Sequence, residues 1–169
     1  GTQLQLALLS QPIPWPLWFQ APVRLLIFEG VRCLLYWKSL KVVPCDSTMP
    51  SSPDPSIHRI GFLGGTFDPI HQGHVSLALE AANVFSLQRV LLCPAFQAPL
   101  RNDHPFFSGE DRLSMVESVA ANYSVLQPYD YEIRKQKTCY TFETLQSVQC
   151  DYPHSQVFLL IGDDQFIQF

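Results

Sequence analysis

The stretch RIGFLGGTFDPIHQGHVSLALEAA, residues 59–82, contains the pattern that decides the fold. Its first five residues are a short apolar run that leads into the glycine pair Gly64 and Gly65. From His74 to Phe85 the apolar residues then recur at the spacing of one helix face. The pattern therefore predicts a strand, a glycine turn and a helix, in that order.

The same alternation continues to the end of the chain. It predicts strands at 89–94, near YDYEIR (residues 129–134) and at 156–162, and helices that begin after Ser108 and at Thr141. Ser108, with Asp111 three residues later, resembles a capping box. Such alternation predicts an α/β fold of Rossmann-like type, a parallel sheet with flanking helices. Ligands bind such sheets beyond the carboxyl ends of the strands, where residues 64–74 and 162–164 fall.

Composition limits the classes of function. The chain has 169 residues, 47% of them hydrophobic and 15% charged, which is typical of one soluble domain with a true core. A net charge of −4 without a Lys/Arg cluster argues against a nucleic-acid partner. The five cysteines show no C-x-x-C spacing, so neither a disulfide framework nor a zinc site is indicated, and a reducing cytoplasm is the expected location.

The character of the chain changes near residue 58. We predict that residues 1–58 are an atypical apolar and Pro-rich extension with a Ser/Pro-rich linker, and that residues 59–169 form the domain. Residues 23–40 are expected to form an amphipathic or buried helix. Four charged residues interrupt this segment too often for a bilayer span, so no membrane contact is expected: Arg24, Glu29, Arg32 and Lys38. The chain also lacks the basic first region of a signal peptide.

The glycine turn favours a phosphate ligand. Glycines let the backbone approach a ligand closely, and the start of the next helix presents N–H groups and positive potential. The turn matches neither the Walker motif nor G-x-G-x-x-G, so other groups must hold the charge. An isolated histidine at a helix start is more often a cap or a solvated residue. The pair His71 and His74 after a glycine turn instead favours donors to phosphate oxygens.

The segment GGTFDPIHQGH resembles the signature of the nicotinate-nucleotide adenylyltransferases, members of the nucleotidylyltransferase superfamily with its H-x-G-H type motif. Further segments match that family in order and spacing over residues 59–169: PAFQAPLR, EDRLSM, YEIR, CYTFETL and LLIGDDQF. The resemblance implies transfer of AMP from ATP to nicotinate mononucleotide in NAD biosynthesis, with Mg²⁺ present and pyrophosphate released. A homo-oligomer is also compatible with it.

The resemblance implies a role for each matched residue. His71 and His74 would be catalytic, binding the ATP phosphates and stabilising the transition state. Tyr140 and Thr141 would hold the nicotinate moiety. The remaining matched positions would bind ATP or its phosphates: Gly64, Gly65, Thr66, Phe67, Arg101, Gly162 and Asp164. Asp68 is expected to be structural, capping local backbone, and Arg112 with Glu132 is expected to be a structural or ligand-orienting pair.

Two alternatives stay open. A sister nucleotidylyltransferase would act on nicotinamide mononucleotide or phosphopantetheine instead. The chain also stops at Phe169, before the late phosphate-binding motif of the family, so the sheet is expected to be incomplete at its C-terminal end. An inactive, truncated fragment that binds nucleotide weakly or not at all is the second alternative.

Overall fold

The computed structural model describes residues 21–29, 32–40, 56–97 and 104–162, the first two ranges as backbone only. The described strands form one six-stranded sheet in the order β2-β1-β6-β3-β4-β5. The strands are β1 (Ala21–Glu29), β2 (Arg32–Leu40), β3 (Arg59–Gly65), β4 (Arg89–Pro94), β5 (Leu126–Pro128) and β6 (Gln156–Gly162). Only the β1–β2 pair is antiparallel in this sheet; the other neighbouring strands are parallel.

Four described helices connect or flank these strands. They are α1 (Gln72–Phe85), α2 (Gly109–Ala120), α3 (Tyr131–Lys135) and α4 (Thr141–Asp151). The predicted alternation of strands and helices is confirmed, and with it the Rossmann-like α/β class. None of the helices in the described part of the chain is both long and apolar enough to cross a bilayer.

The helices cover both faces of the sheet because strand side chains alternate with a period of two. On β4, Val90 and Leu92 face one cluster, whereas Leu91 and Cys93 face the other. The first cluster takes its helical members from α1 and α2, and the second takes Leu145 and Val148 from α4. Nearly continuous apolar runs such as RVLLCP are typical of strands buried on both faces.

The predicted helix over residues 23–40 is wrong. The chain there forms the hairpin of β1 and β2, and β1 pairs in parallel with β6. Apolar runs of this length do not separate helix from strand by periodicity, and the β-branched and aromatic residues Val23, Ile27 and Tyr36 favour strands. The predicted linker lies largely outside the described residues.

Two further local predictions need correction. The strand predicted near YDYEIR is shorter and earlier, because β5 ends at Pro128 and residues 131–135 form α3. Cys150 in α4 is disulfide-bonded, which the cysteine spacing did not predict. Cys93 and Cys139 are free and buried.

The guanidinium of Arg112 joins three loops at the carboxyl edge of the sheet. The side chain is 1% exposed and donates to four backbone carbonyls. The acceptors are Thr66 O at 2.7 Å, Ala95 O at 2.6 Å, Phe96 O at 3.1 Å and Phe107 O at 3.2 Å. One buried cation therefore fixes the loops after β3 and β4 and the loop before α2.

Asp68 strengthens the same junction. Its carboxylate accepts from Phe106 N at 2.6 Å and Phe107 N at 2.9 Å. The N–H groups of Phe107 and Phe106 lower the pKa of Asp68. The expected structural role is thus observed, but the capped backbone lies in the loop before α2 instead of next to Asp68.

Replacing Arg112 with Lys should lower the free energy of unfolding by about 2–4 kcal/mol, because an ammonium cannot reach carbonyls of three loops at once. Denaturant unfolding measures the loss. The matched control is Arg134→Lys, since Arg134 is half-exposed and pairs with Asp130 of its own helix end. Equal losses of unfolding free energy in the two variants would contradict this role of the Arg112 guanidinium.

Tyr129 should make the fold sensitive to alkali. Its hydroxyl hydrogen-bonds Asp151 Oδ2 at 2.6 Å and Ser147 Oγ at 3.0 Å, which ties the end of β5 to α4. Burial, followed by the Asp151 hydrogen bond, raises the pKa of Tyr129. A raised folded-state pKa gives stability that is present below the unfolded pKa and lost as pH rises. Above about pH 10, Tyr129 should therefore reduce the unfolding free energy by about 1.4 kcal/mol per pH unit.

The test compares wild type with Tyr129→Phe from pH 8 to 11. The variant should be less stable by about 1–3 kcal/mol at neutral pH, and the difference should shrink in alkali. Parallel stability curves would show that Tyr129 is not the responsible group.

Candidate active site

Parallel pairing brings the predicted glycines to one edge of the sheet. Gly65, the last residue of β3, pairs with Pro94 at the end of β4. Gly162 ends β6, the other neighbour of β3. The carboxyl ends of three adjacent strands therefore frame the loop that follows β3, which is where ligands of such sheets bind.

The glycine turn is shaped by the ring of Phe67. This residue is 1% exposed and has a left-handed backbone with φ 48°. A Cβ at Gly65 would lie only 3.0 Å from Phe67 Cε1. Gly65 is therefore needed for the close approach of the ring, and its carbonyl accepts from Ala95 N at 2.8 Å.

The two histidines cap α1. His71 is the N-cap residue, and its Nδ1 accepts from Gly73 N at 3.2 Å. His74 Nδ1 accepts in turn from His71 N, also at 3.2 Å. This reciprocal cap starts the helix at Gln72, two residues before the predicted start. The imidazoles thus occupy N–H groups that the sequence analysis assigned to a phosphate.

The cap also determines which ring nitrogens carry protons. Because each Nδ1 accepts a backbone hydrogen bond, each neutral ring carries its proton on Nε2. The rings stack with centroids 3.8 Å apart and planes 25° apart, and the edge of Phe67 contacts His74 at a centroid distance of 4.9 Å. The arrangement therefore places two Nε2–H groups at one helix start.

The start of α4 carries the residues predicted for the nicotinate side. Tyr140 is the N-cap and is 58% exposed, and Thr141 is the first helical residue. Glu143 Oε2 accepts from Tyr140 N at 2.9 Å. A carboxylate of the protein itself therefore lies at this helix start, a feature that the sequence analysis missed. The signal was available, because Glu at the third helical position is typical of a capped start.

Arg112 and Glu132, predicted as a pair, do not bond to one another. The Glu132 carboxylate accepts from Thr144 Oγ1 at 2.8 Å, and the backbone N–H of Phe96 lies near it. Burial raises the pKa of Glu132, and the Thr144 hydroxyl and the Phe96 N–H oppose that rise. These contacts place the first turn of α4 beside the end of β4, and thus at the same edge as the glycine turn.

Two predicted site residues, Arg101 and Asp164, lie outside the described residues. The structure brings together the other predictions in two groups at the carboxyl edge. One is the phosphate-side group at β3, α1 and β6: Gly64, Gly65, Thr66, Phe67, His71, His74 and Gly162. The second is Tyr140 with Thr141 at the start of α4.

Comparisons with known proteins bear on the family of the chain. The cytidylyltransferase-like family model matches residues 62–169. A protein of Pseudomonas syringae named "probable nicotinate-nucleotide adenylyltransferase" is 45% identical over 109 residues, which cover 64% of this chain and 49% of that protein. A Synechococcus protein of the same name is 41% identical over 114 residues, which cover 68% of this chain and 55% of that protein. The chain spans about half the length of the curated relatives it matches.

A solved structure shows the same fold. The Plasmodium falciparum nicotinic acid mononucleotide adenylyltransferase complexed with NaAD superimposes with a TM-score of 0.53 at 19% identity. The match covers 66% of this chain and 55% of that one. Because the family model spans most of the chain and includes the glycine turn, both histidines and the start of α4, the chain belongs to the cytidylyltransferase-like family.

Proposed function

We propose that the protein transfers AMP from ATP to nicotinate mononucleotide, which yields nicotinate adenine dinucleotide and pyrophosphate for NAD biosynthesis in the cytoplasm. The observation that carries the proposal is the stacked pair of Nε2–H imidazoles at the start of α1, beside a glycine turn. The names of the relatives support the choice of reaction.

The reaction makes modest demands on the protein. The phosphate of the mononucleotide attacks the α-phosphorus of ATP, and the bond to the pyrophosphate leaving group breaks in line. The attacking phosphate is already ionised, so no general base is required. What the protein must supply is alignment and hydrogen-bond donors where negative charge increases.

His71 and His74 suit the second demand. Their backbone caps hold both rings in place before substrate arrives, so little reorganisation is needed in the transition state. We infer that they donate through Nε2, because each Nδ1 accepts a backbone N–H. The backbone at Gly64, Gly65 and Thr66 would lie along the phosphates, and Phe67 would hold the ring of His74 from its edge.

Mg²⁺ is proposed to arrive with ATP. No cluster of three or more His, Cys, Asp or Glu side chains suited to a metal ion occurs among the residues that the structure describes. Mg²⁺ commonly binds through substrate phosphates and retained waters, and it would neutralise phosphate charge. Gly162 would approach the nucleotide; Arg101 and Asp164 are proposed to contact a phosphate and a ribose from segments outside the described residues.

His74→Ala in the complete gene product should lower kcat about 10²- to 10³-fold, while nicotinate mononucleotide affinity changes little, because the lost donor matters most as charge builds at the α-phosphorus. Steady-state kinetics and calorimetric binding measure the two effects. The control is His154→Ala, since His154 is exposed beside the amino end of β6. A near-normal kcat in the His74 variant would exclude the assigned role.

The enzyme should prefer the acid substrate over nicotinamide mononucleotide. The positive end of α4 and its N–H groups favour a carboxylate, so we expect kcat/KM about ten- to a hundredfold higher for nicotinate mononucleotide. Glu143→Gln keeps an acceptor for Tyr140 N but removes the negative charge, so it should widen the preference. Equal rates with the two mononucleotides would refute this role of the α4 start while leaving adenylyl transfer intact.

A further inference from the structure

Two buried charged side chains flank the backbone of one residue, Phe96, just beyond β4. Arg112 Nη2 donates to the carbonyl of Phe96 at 3.1 Å. The N–H of the same residue lies near the carboxylate of Glu132, which is 6% exposed, and lowers its pKa. Phe96 is therefore held from both sides by opposite charges that do not bond to each other.

Each of these charged groups also contacts a different side of the candidate site. Arg112 Nη1 donates to Thr66 O at 2.7 Å, in the loop between the glycine turn and the histidines. Glu132 accepts from Thr144 Oγ1, whose residue is fully buried in the first turn of α4. A continuous set of contacts thus runs from the phosphate side through Phe96 to the proposed nicotinate side.

We propose that Glu132 is a positioning residue, which acts through Phe96 and Thr144 to set the location of the α4 start relative to the phosphate loop. The inference rests on the proposed function, in which one substrate lies against each of these two elements. In-line transfer requires the attacking oxygen and the α-phosphorus to be aligned, and a displacement of about 1 Å can cost about 10²-fold in rate. Glu132 would touch neither substrate.

The competing explanation is that Glu132 only stabilises the fold. Both explanations predict a less stable protein when the carboxylate is removed, since Thr144 and Phe96 N would lose a buried partner. The two explanations differ in the kcat that they predict. Misalignment should reduce kcat while each substrate still binds its own side, whereas a purely structural role should leave the kinetics of the folded fraction unchanged.

The test uses the complete gene product, four single variants and one double variant. Glu132→Ala removes the contacts, and Thr144→Val removes only the hydroxyl. Glu132→Gln is the conservative rescue, because its amide oxygen can accept from Phe96 N while its NH₂ donates to the Thr144 hydroxyl. Tyr129→Phe is the matched control, since it deletes buried hydrogen bonds to the later part of α4 at Ser147 and Asp151.

At a temperature where all variants are folded, Glu132→Ala should lose about 10- to 100-fold in kcat. KM and the calorimetric affinity for each substrate should change less than about threefold. Thr144→Val should lower kcat less than Glu132→Ala does. In the double variant, Thr144→Val should lower kcat little beyond the effect of Glu132→Ala, because both substitutions disrupt the same contact. Glu132→Gln should recover most of the lost kcat, and Tyr129→Phe should lose stability without a comparable loss of kcat.

Three results would overturn the inference. These are a kcat within about twofold of wild type in Glu132→Ala, a defect confined to KM, or a defect in Tyr129→Phe as large as that in Glu132→Ala. If Glu132→Ala does not fold, Thr144→Val decides the question, since an unchanged kcat there removes the link to α4. Lack of adenylyl transfer by the wild type would instead contradict the proposed function itself.

Discussion

The structure depends most on the burial of one guanidinium. Arg112 is withdrawn from water, and backbone carbonyls replace its hydration. Burial of a cation is costly unless its donors are satisfied, so the three loops that provide these oxygens are constrained together. Those loops do not form a sheet or a helix with one another, and regular secondary structure alone would leave their relative positions undefined. The precision of the site therefore comes from a side chain in α2 that does not belong to the predicted catalytic set.

A second constraint concerns the start of α1. A helix start usually offers its unpaired N–H groups to an anion, and the sequence analysis expected such a phosphate cradle. Here His71 and His74 accept backbone N–H groups on Nδ1, so the N–H donor of either ring is at Nε2. The N–H donor at the helix start is therefore a ring Nε2–H, which lies farther from the backbone than a peptide N–H by the width of an imidazole. The cap fixes the direction of this donor. The spacing of the two histidines thus serves helix initiation and donor placement together.

Most of the regular structure was predictable because both local signals and burial pointed to the same elements. Apolar runs gave β3, β4 and β6, and Ser108 marked the start of α2 with its hydroxyl accepting from Asp111 N. The local signals failed where tertiary contacts determine the secondary structure. Residues 131–135 form a helix that buries Glu132, although the same letters resemble a strand. In the hairpin of β1 and β2, pairing with β6 prevails over an apolar pattern that also suits a helix.

Prediction of the site had a similar limit. The glycines and histidines could be predicted as site residues because their chemistry is local to one segment. The contacts of Phe96 with Arg112 and Glu132 join three segments, and no local pattern reveals that the backbone of one residue lies between these two side chains. Those groups come together only in the tertiary structure.

The separation of the two sheet edges has a practical consequence. Every described residue of the candidate site lies at the carboxyl ends of the strands or at the helix starts beside them, whereas the turn at Pro153 and His154 leads into the amino end of β6. Both residues of that turn are exposed, and the seven residues of β6 put roughly 20 Å between it and Gly162. A fluorescent label or a surface tether attached at this turn would report on or immobilise the protein while leaving the candidate site open.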